Sequence, residues 1–253
     1  MPTPTRNILE RSITIIEGLV DHGEPVGPRE LARLTGIDRS AVSRILLQLT
    51  NIEVIEKSEA GYGPGTRLFE IARLLGALDT LPTAAHAALS RLVEKFDETC
   101  YVCVIHGDAA VFLYEEQSTK PLRYVADLGR PVPLHAGAAG RAILAGMPRD
   151  QAAHLLGKGP LPALTANTVI EPSAVLNMAE SDADLGYTVS NGERVEGGVA
   201  VASAFFDQSG TCLGSVVFTS PVDRFPESEV IGAEVKAAAI ALSARLGYRQ
   251  TDP

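Results

Sequence analysis

The sequence predicts an α+β protein: an N-terminal winged helix-turn-helix module, a connecting helix, and a larger region built on a mostly antiparallel sheet. Three observations carry that expectation. Residues 28–50, PRELARLTGIDRSAVSRILLQLT, place two helical apolar stripes on either side of a turn at Gly36. Residues 51–65, NIEVIEKSEAGYGPG, look like a small hairpin. From residue 99 onward the helical spacing gives way to β-rich runs such as TCYVCVI and AAVFLYEE.

In chain order, the first helix repeats Ile8, Leu9, Ile13, Ile16, Leu19 and Val20 at threes and fours and stops at His22-Gly23, with Pro25 beyond. Leu31, Ala32 and Leu34 stripe the second helix, and Val42, Ile45, Leu46 and Leu49 the third. Asp38 is placed to cap the third helix through an early backbone N–H. Opposite its stripe lie Arg39, Ser40, Ser43, Arg44 and Gln48, with Arg29 on the helix before. Such side chains reach phosphates and base edges when a helix enters a major groove. The same pattern also suits a helical hairpin with a solvated polar face. Val54 and Ile55 precede a turn at 58–61, and Tyr62 leads the return strand. Helix, helix, recognition helix and wing follow one another within 65 residues.

Residues 66–79 read as a connecting helix striped by Leu68, Ile71, Ala72, Leu75 and Leu78, a natural place for two chains to pair. A further helix covers 83–97. Strands follow at 99–105 and 109–116 around His106-Gly107-Asp108, and another at 121–126. Helices at 137–146, 149–156 and 173–185 precede strands at 198–206 and 211–219 joined by a turn at 207–210. An Ala-rich helix, 227–246, closes the chain. The expected division is 1–65 for the winged module, 66–81 for the linker and 82–253 for the second domain.

Length and composition set limits. A chain of 253 residues with 45 % hydrophobic content supports two domains with real cores. No run of 18 apolar residues occurs, and MPTPTRNILERS lacks the layout of a signal peptide, so a cytoplasmic location away from membranes is expected. Three cysteines do not suggest a disulfide framework. The net charge is −9; residues 1–65 carry seven Lys/Arg against nine Asp/Glu, and the remaining 188 carry fifteen against twenty-two. There is no general basic field, only a local patch from Arg6, Arg29, Arg39 and Arg44, so DNA binding would require dimerisation.

Several constellations argue against catalysis. Cys100 and Cys103 have C-x-x-C spacing, but residues three apart on a strand face opposite ways. Gly210-Thr-Cys-Leu-Gly214 mimics a nucleophile elbow, yet a turn precedes it and a β-branched run follows. The histidines at 22, 86, 106, 135 and 154 show no metal-binding spacing. More informative is His135-Ala-Gly-Ala-Ala-Gly-Arg-Ala-Ile-Leu144. Its small residues open a helix whose first N–H groups attract an anion, or else permit close packing on a sheet.

Taken together, these segments make the chain resemble the IclR family of bacterial transcription regulators over nearly its full length. The resemblance rests on 31–49, the wing with Tyr62 and Gly65, residues 132–144, and GYTVSNGERVEGGV at 186–199 followed by the strand pair to Pro221. It implies a linker helix, a C-terminal GAF-like effector-binding domain, dimers often paired into tetramers, binding to double-stranded operator DNA, no cofactor and no catalysis. The family's effector cup implies a floor of backbone N–H groups, here those of Ala138 and Ala139 beside Gly137 and Gly140. Its walls correspond to Tyr124, Val132, Ser190, Ala200, Val217 and Thr219. The family usually has an acid in the loop holding Ser190 and Asn191, often a Cys at Ala200, a small hydroxyl at Val217 and a Pro at Ala204. The replacements imply a roomier, less polar cup suited to a small carboxylate with an apolar or aromatic body. The competing reading is an enzyme or binding protein whose N-terminal helices merely dimerise; no nucleophile–base arrangement supports it.

Overall fold

The computed structural model describes residues 7–74 and 80–249, and the chain divides into two compact units after residue 78. In the first unit, α1 (Ile8–His22) starts from a capping box: the Asn7 side chain accepts from the Glu10 N–H, and Glu10 accepts from the Asn7 N–H. It ends at Gly23 with φ 75°. Pro28 opens α2 (Pro28–Thr35), and Gly36 closes it in the left-handed region, φ 67°. Asp38 accepts from the Ala41 N–H at 2.9 Å and starts α3 (Arg39–Asn51). Strands β1 (Ile55–Lys57) and β2 (Tyr62–Pro64) form the wing, and Val26 bridges to Tyr62 from the connection before α2. The helix α4 (Thr66–Leu74) follows. Ile15, Leu19, Leu31, Val42, Ile45, Leu46 and Ile55 fill the core.

The expected α1 stripe is only partly the buried one: Leu19 is buried and Ile16 packs against the core. Ile15 and Leu19 face the core, while Leu9, Ile13 and Val20 are 72 %, 55 % and 54 % exposed. This helix carries apolar residues on two faces roughly 100° apart, and the sequence pattern merged them. Leu34 is likewise exposed on α2. Of the expected linker stripe, Leu75 and Leu78 lie outside the described residues, as does Arg6.

The second unit is a six-stranded antiparallel sheet between helices. Its strands are β3 (Cys100–His106), β4 (Ala109–Glu116), β5 (Pro131–Pro133), β6 (Thr188–Asn191), β7 (Gly198–Phe206) and β8 (Cys212–Pro221), in the order β5-β4-β3-β8-β7-β6. One face packs on α5 (Thr80–Phe96) and α9 (Ser228–Arg245) through Cys100, Val102, Val216 and Phe218. The other carries Tyr101, Cys103, Phe112 and Val217 against α6 (Ala138–Ala145), α7 (Arg149–Leu156) and α8 (Pro172–Leu185).

Two expectations change here. Residues 121–126 are not a strand; the third strand of that edge is β5, paired with β4 through Ala109 opposite Pro133. Tyr101 explains this: its hydroxyl donates to the Tyr124 carbonyl and accepts from the Ala126 N–H, both at 3.1 Å, drawing those backbone groups away from a ladder. The edge strand β6 emerges from the segment around Ser190 that carried no strand expectation. The two thiols of the C-x-x-C pair belong to opposite sheet faces. Burial raises the Cys103 and Cys212 thiols to about 12, which leaves them protonated and unreactive.

Candidate functional site

On α3 the side chains of Arg39, Ser40, Ser43, Arg44 and Gln48 are all exposed, while Val42, Ile45, Leu46 and Leu49 are buried. Arg29 is exposed on α2. Ser40 donates to the capping Asp38 at 2.6 Å, so its hydroxyl is partly committed to holding the helix start. Arg33, near Arg29, is held by Glu30 at 2.6 Å. The sequence reading left out Leu47, which is 62 % exposed. At 100° per residue it sits between Ser43 and Ser40, in the middle of the polar face. A single exposed leucine there went unread because Leu46 beside it belongs to the core.

In the second unit, Tyr124, Gly137, Ala138, Ala139, Ser190, Ala200, Val217 and Thr219 surround one cavity. Val132 does not line it; on β5 it packs into the core. The α6 helix starts at this cavity, with Gly137 as its N-cap at φ 95° and no side-chain cap. The small-residue run divides by position. Gly140 serves packing, because a Cβ there would lie 2.3 Å from the Leu134 carbonyl oxygen. Ala138 and Ala139 serve the cavity. Thr219 donates to the Thr99 carbonyl at 2.9 Å, which keeps lone pairs of its oxygen available as acceptors.

The cup of this structure is narrow and bordered by charged side chains. Its volume is about 30 Å³, room for about one or two waters. Two residues absent from the sequence expectation account for this. The Arg194 guanidinium lies 4.7 Å from the centre of the Phe112 ring, and its stem packs against Gly137. Glu193 accepts from the Gly137 N–H at 3.4 Å, so an acid does stand in this loop, three residues after Ser190. Tyr124 presses on Gly198, where a Cβ would come within 2.9 Å of the ring.

Behind the cup, Arg141 is almost wholly buried. It donates from Nη1 to both Glu193 oxygens at 2.8 Å, from Nε to Asp182 at 2.8 Å, and from Nη2 to the Val189 carbonyl. A charged residue inside AAGRAILA was the available signal for these partners, since a buried cation requires acids nearby.

Comparison with known proteins places both units. The pattern for the bacterial transcriptional regulator IclR C-terminal domain matches residues 75–244, and that for the IclR helix-turn-helix domain matches residues 8–59. The chain is 27 % identical to the HTH-type transcriptional repressor AllR of Escherichia coli over 246 residues, 95 % of this chain and 90 % of that one. It is 25 % identical to the HTH-type transcriptional regulator KipR of Bacillus subtilis over 222 residues, 87 % and 89 % of the two chains. Among solved structures, the IclR of Thermotoga maritima superposes with a TM-score of 0.71 at 23 % identity, covering 95 % of this chain and 98 % of its own. An IclR homologue from Microbacterium hydrocarbonoxydans, complexed with 4-hydroxybenzoate, gives 0.70 at 20 % identity, covering 95 % and 99 %.

Proposed function

This chain belongs to the IclR family, DNA-binding transcription regulators with a C-terminal effector domain, and from that premise we propose which surfaces read DNA and what the effector domain senses. The α3 face enters the major groove of an operator. Arg39 and Arg44 contact phosphates or guanines, Ser43 and Gln48 reach base edges, and Ser40 and Arg29 fix the flank. The exposed, mostly polar face on a helix rigidly capped by Asp38 supports this role. Replacing Arg44 with Ala is expected to weaken operator binding about tenfold in a mobility-shift titration; unchanged affinity in a folded variant refutes the assignment.

The regulator acts as a homodimer or a dimer of dimers. The exposed line of Leu9, Ile13 and Val20 on α1 supplies a pairing surface, and residues 66–81 act as the linker. Two linked modules raise the effective concentration of the second half-site contact.

The effector is a small carboxylate with an apolar or aromatic body. The observation that carries this is the uncapped start of α6 at the cavity, with the Arg194 cation beside it. The head lies at the Ala138 and Ala139 N–H groups, and the body lies against Tyr124, Phe112, Ala200 and Val217. Entry requires Arg194 to leave Phe112, and its guanidinium then pairs with the ligand's head. The 4-hydroxybenzoate held by the Microbacterium structure of the same fold supports this class of ligand. Calorimetric titration with benzoates and short aliphatic acids tests it. Ala200→Phe is expected to abolish aromatic-acid binding, and Arg194→Ala to weaken it. Undiminished binding by Ala200→Phe places the effector elsewhere, and a preference for two-carbon acids refutes the aromatic body.

A further inference from the structure

The effector domain holds a second cavity, of about 390 Å³, at the opposite end of α6 from the cup. That is the size range of a small-molecule site, and more than ten times the volume of the cup. Small residues hollow it out: Ala142 and Ala145 on α6, Gly146 just after it, Ala183 on α8 and Ala204 on β7. Gly146 cannot be filled, since a Cβ there would lie 2.8 Å from both the Ala204 Cβ and the Cys212 sulfur. Three aromatic side chains, Tyr187, Phe206 and Tyr248, line the rest, with Ile240 exposed on α9. The Phe206 and Tyr248 rings are tilted together, 5.2 Å between centres.

The polar lining sets the preferred charge. Asp182 borders this cavity and Glu193 borders the cup, and both draw on the single Arg141 between them. Two carboxylates against one guanidinium leave a surplus negative charge in a largely buried cluster. On the cup side that surplus is offset by the α6 N-terminus, through the Gly137 N–H, and by Arg194 in the same wall. Asp182 has only its share of Arg141 and the neutral Thr188 hydroxyl, and it sits in the last turn of α8, where the helix dipole is negative. The hydroxyls of Thr188 and Ser203 already donate, to Asp182 and to the Gly186 carbonyl, so they face the cavity as acceptors. Lys236 also lines the cavity, but its ammonium donates to the Leu185 carbonyl at 3.0 Å and makes no ion pair with Asp182.

We propose that this cavity is a second small-molecule site, taking a molecule with an ammonium head at Asp182 and an aromatic body between Tyr187, Phe206 and Tyr248. A carboxylate that shares its one guanidinium with Glu193 favours a cationic donor head, and aromatic faces attract a cation. The site is lined by residues other than those of the carboxylate cup.

Tryptamine and indole-3-acetate share a body and carry opposite heads, so calorimetric titration of the full-length protein with both is decisive. Tryptamine is expected to bind the parent and the Ala200→Phe variant alike, and the indole acid to bind Ala200→Phe, whose cup is filled, at least about tenfold more weakly than tryptamine does. Ala244→Trp fills the mouth from an exposed position and is expected to abolish tryptamine binding while operator affinity is retained. Asp182→Asn is expected to weaken it at least about tenfold; should that variant unfold, Ala244→Trp still decides. The proposal fails if tryptamine does not bind, if Ala244→Trp binds it undiminished, or if both heads bind there equally. It fails equally if Ala200→Phe removes the binding, which would place tryptamine in the cup. A change of oligomeric state in Ala244→Trp, seen by light scattering, would instead make this cavity an interface between copies.

Discussion

Leu47 shows what one residue can add to a reading surface. An exposed leucine amid serines, arginine and glutamine has an apolar surface that suits the methyl group of thymine. Replacing single operator thymines with uracil removes that methyl and nothing else. The parent is expected to lose about 1 kcal/mol at one thymine per half-site, while Leu47→Ala loses nothing further there. Equal losses in both proteins would remove Leu47 from base readout. The residues legible from sequence were those whose surroundings are local. Asp38 caps its own helix, and Arg44 is exposed because Ile45 and Leu46 are not. Glu193 and Arg194 were missed because their roles depend on Arg141, Gly137 and Phe112, more than 50 positions away in the chain.

Among elements, α6 is the most constrained. Gly140 touches the Leu134 backbone so closely that Gly140→Ala is expected to cost about 3 kcal/mol, read as a lower midpoint in denaturant unfolding. Gly65 in the wing is similarly tight: a Cβ would meet the Glu53 carbonyl oxygen at 2.3 Å, so Gly65→Ala is expected to loosen the wing and weaken operator binding. Long helices stand where the sequence placed them: α3 with its Asp38 cap and apolar stripe, and α9 as an Ala-rich run. The three-residue β5 and four-residue β6 do not advertise themselves, because edge strands draw their pattern from partners distant in sequence. On α1 the pattern existed but was double, one face for the core and one for solvent. Ile13→Asp on the outer face is expected to leave the module folded, shift the protein towards monomer in light scattering, and weaken operator binding with it.

At the scale of the whole molecule, the α+β class followed from the change of periodicity near residue 99, while the division into two compact units falls after residue 78, inside the segment expected as the linker. The charge balance was legible as well, and its consequence appears in solution. Proteins that neutralise many phosphates release many condensed counterions, and their affinity collapses as salt rises. Here Glu30 occupies Arg33, and the proposed α2–α3 reading surface has Arg29, Arg39 and Arg44 as its cations in a module with seven basic residues against nine acidic ones. With three such cations on each of two modules, a dimer would release about six ions, and the logarithm of its operator association constant is expected to fall with the logarithm of salt at a slope of about −5. Fluorescence anisotropy across a potassium chloride series measures that slope. At that slope a fourfold rise in salt lowers operator affinity about a thousandfold, so the ionic strength of the surroundings would set how much of the operator a given amount of regulator occupies.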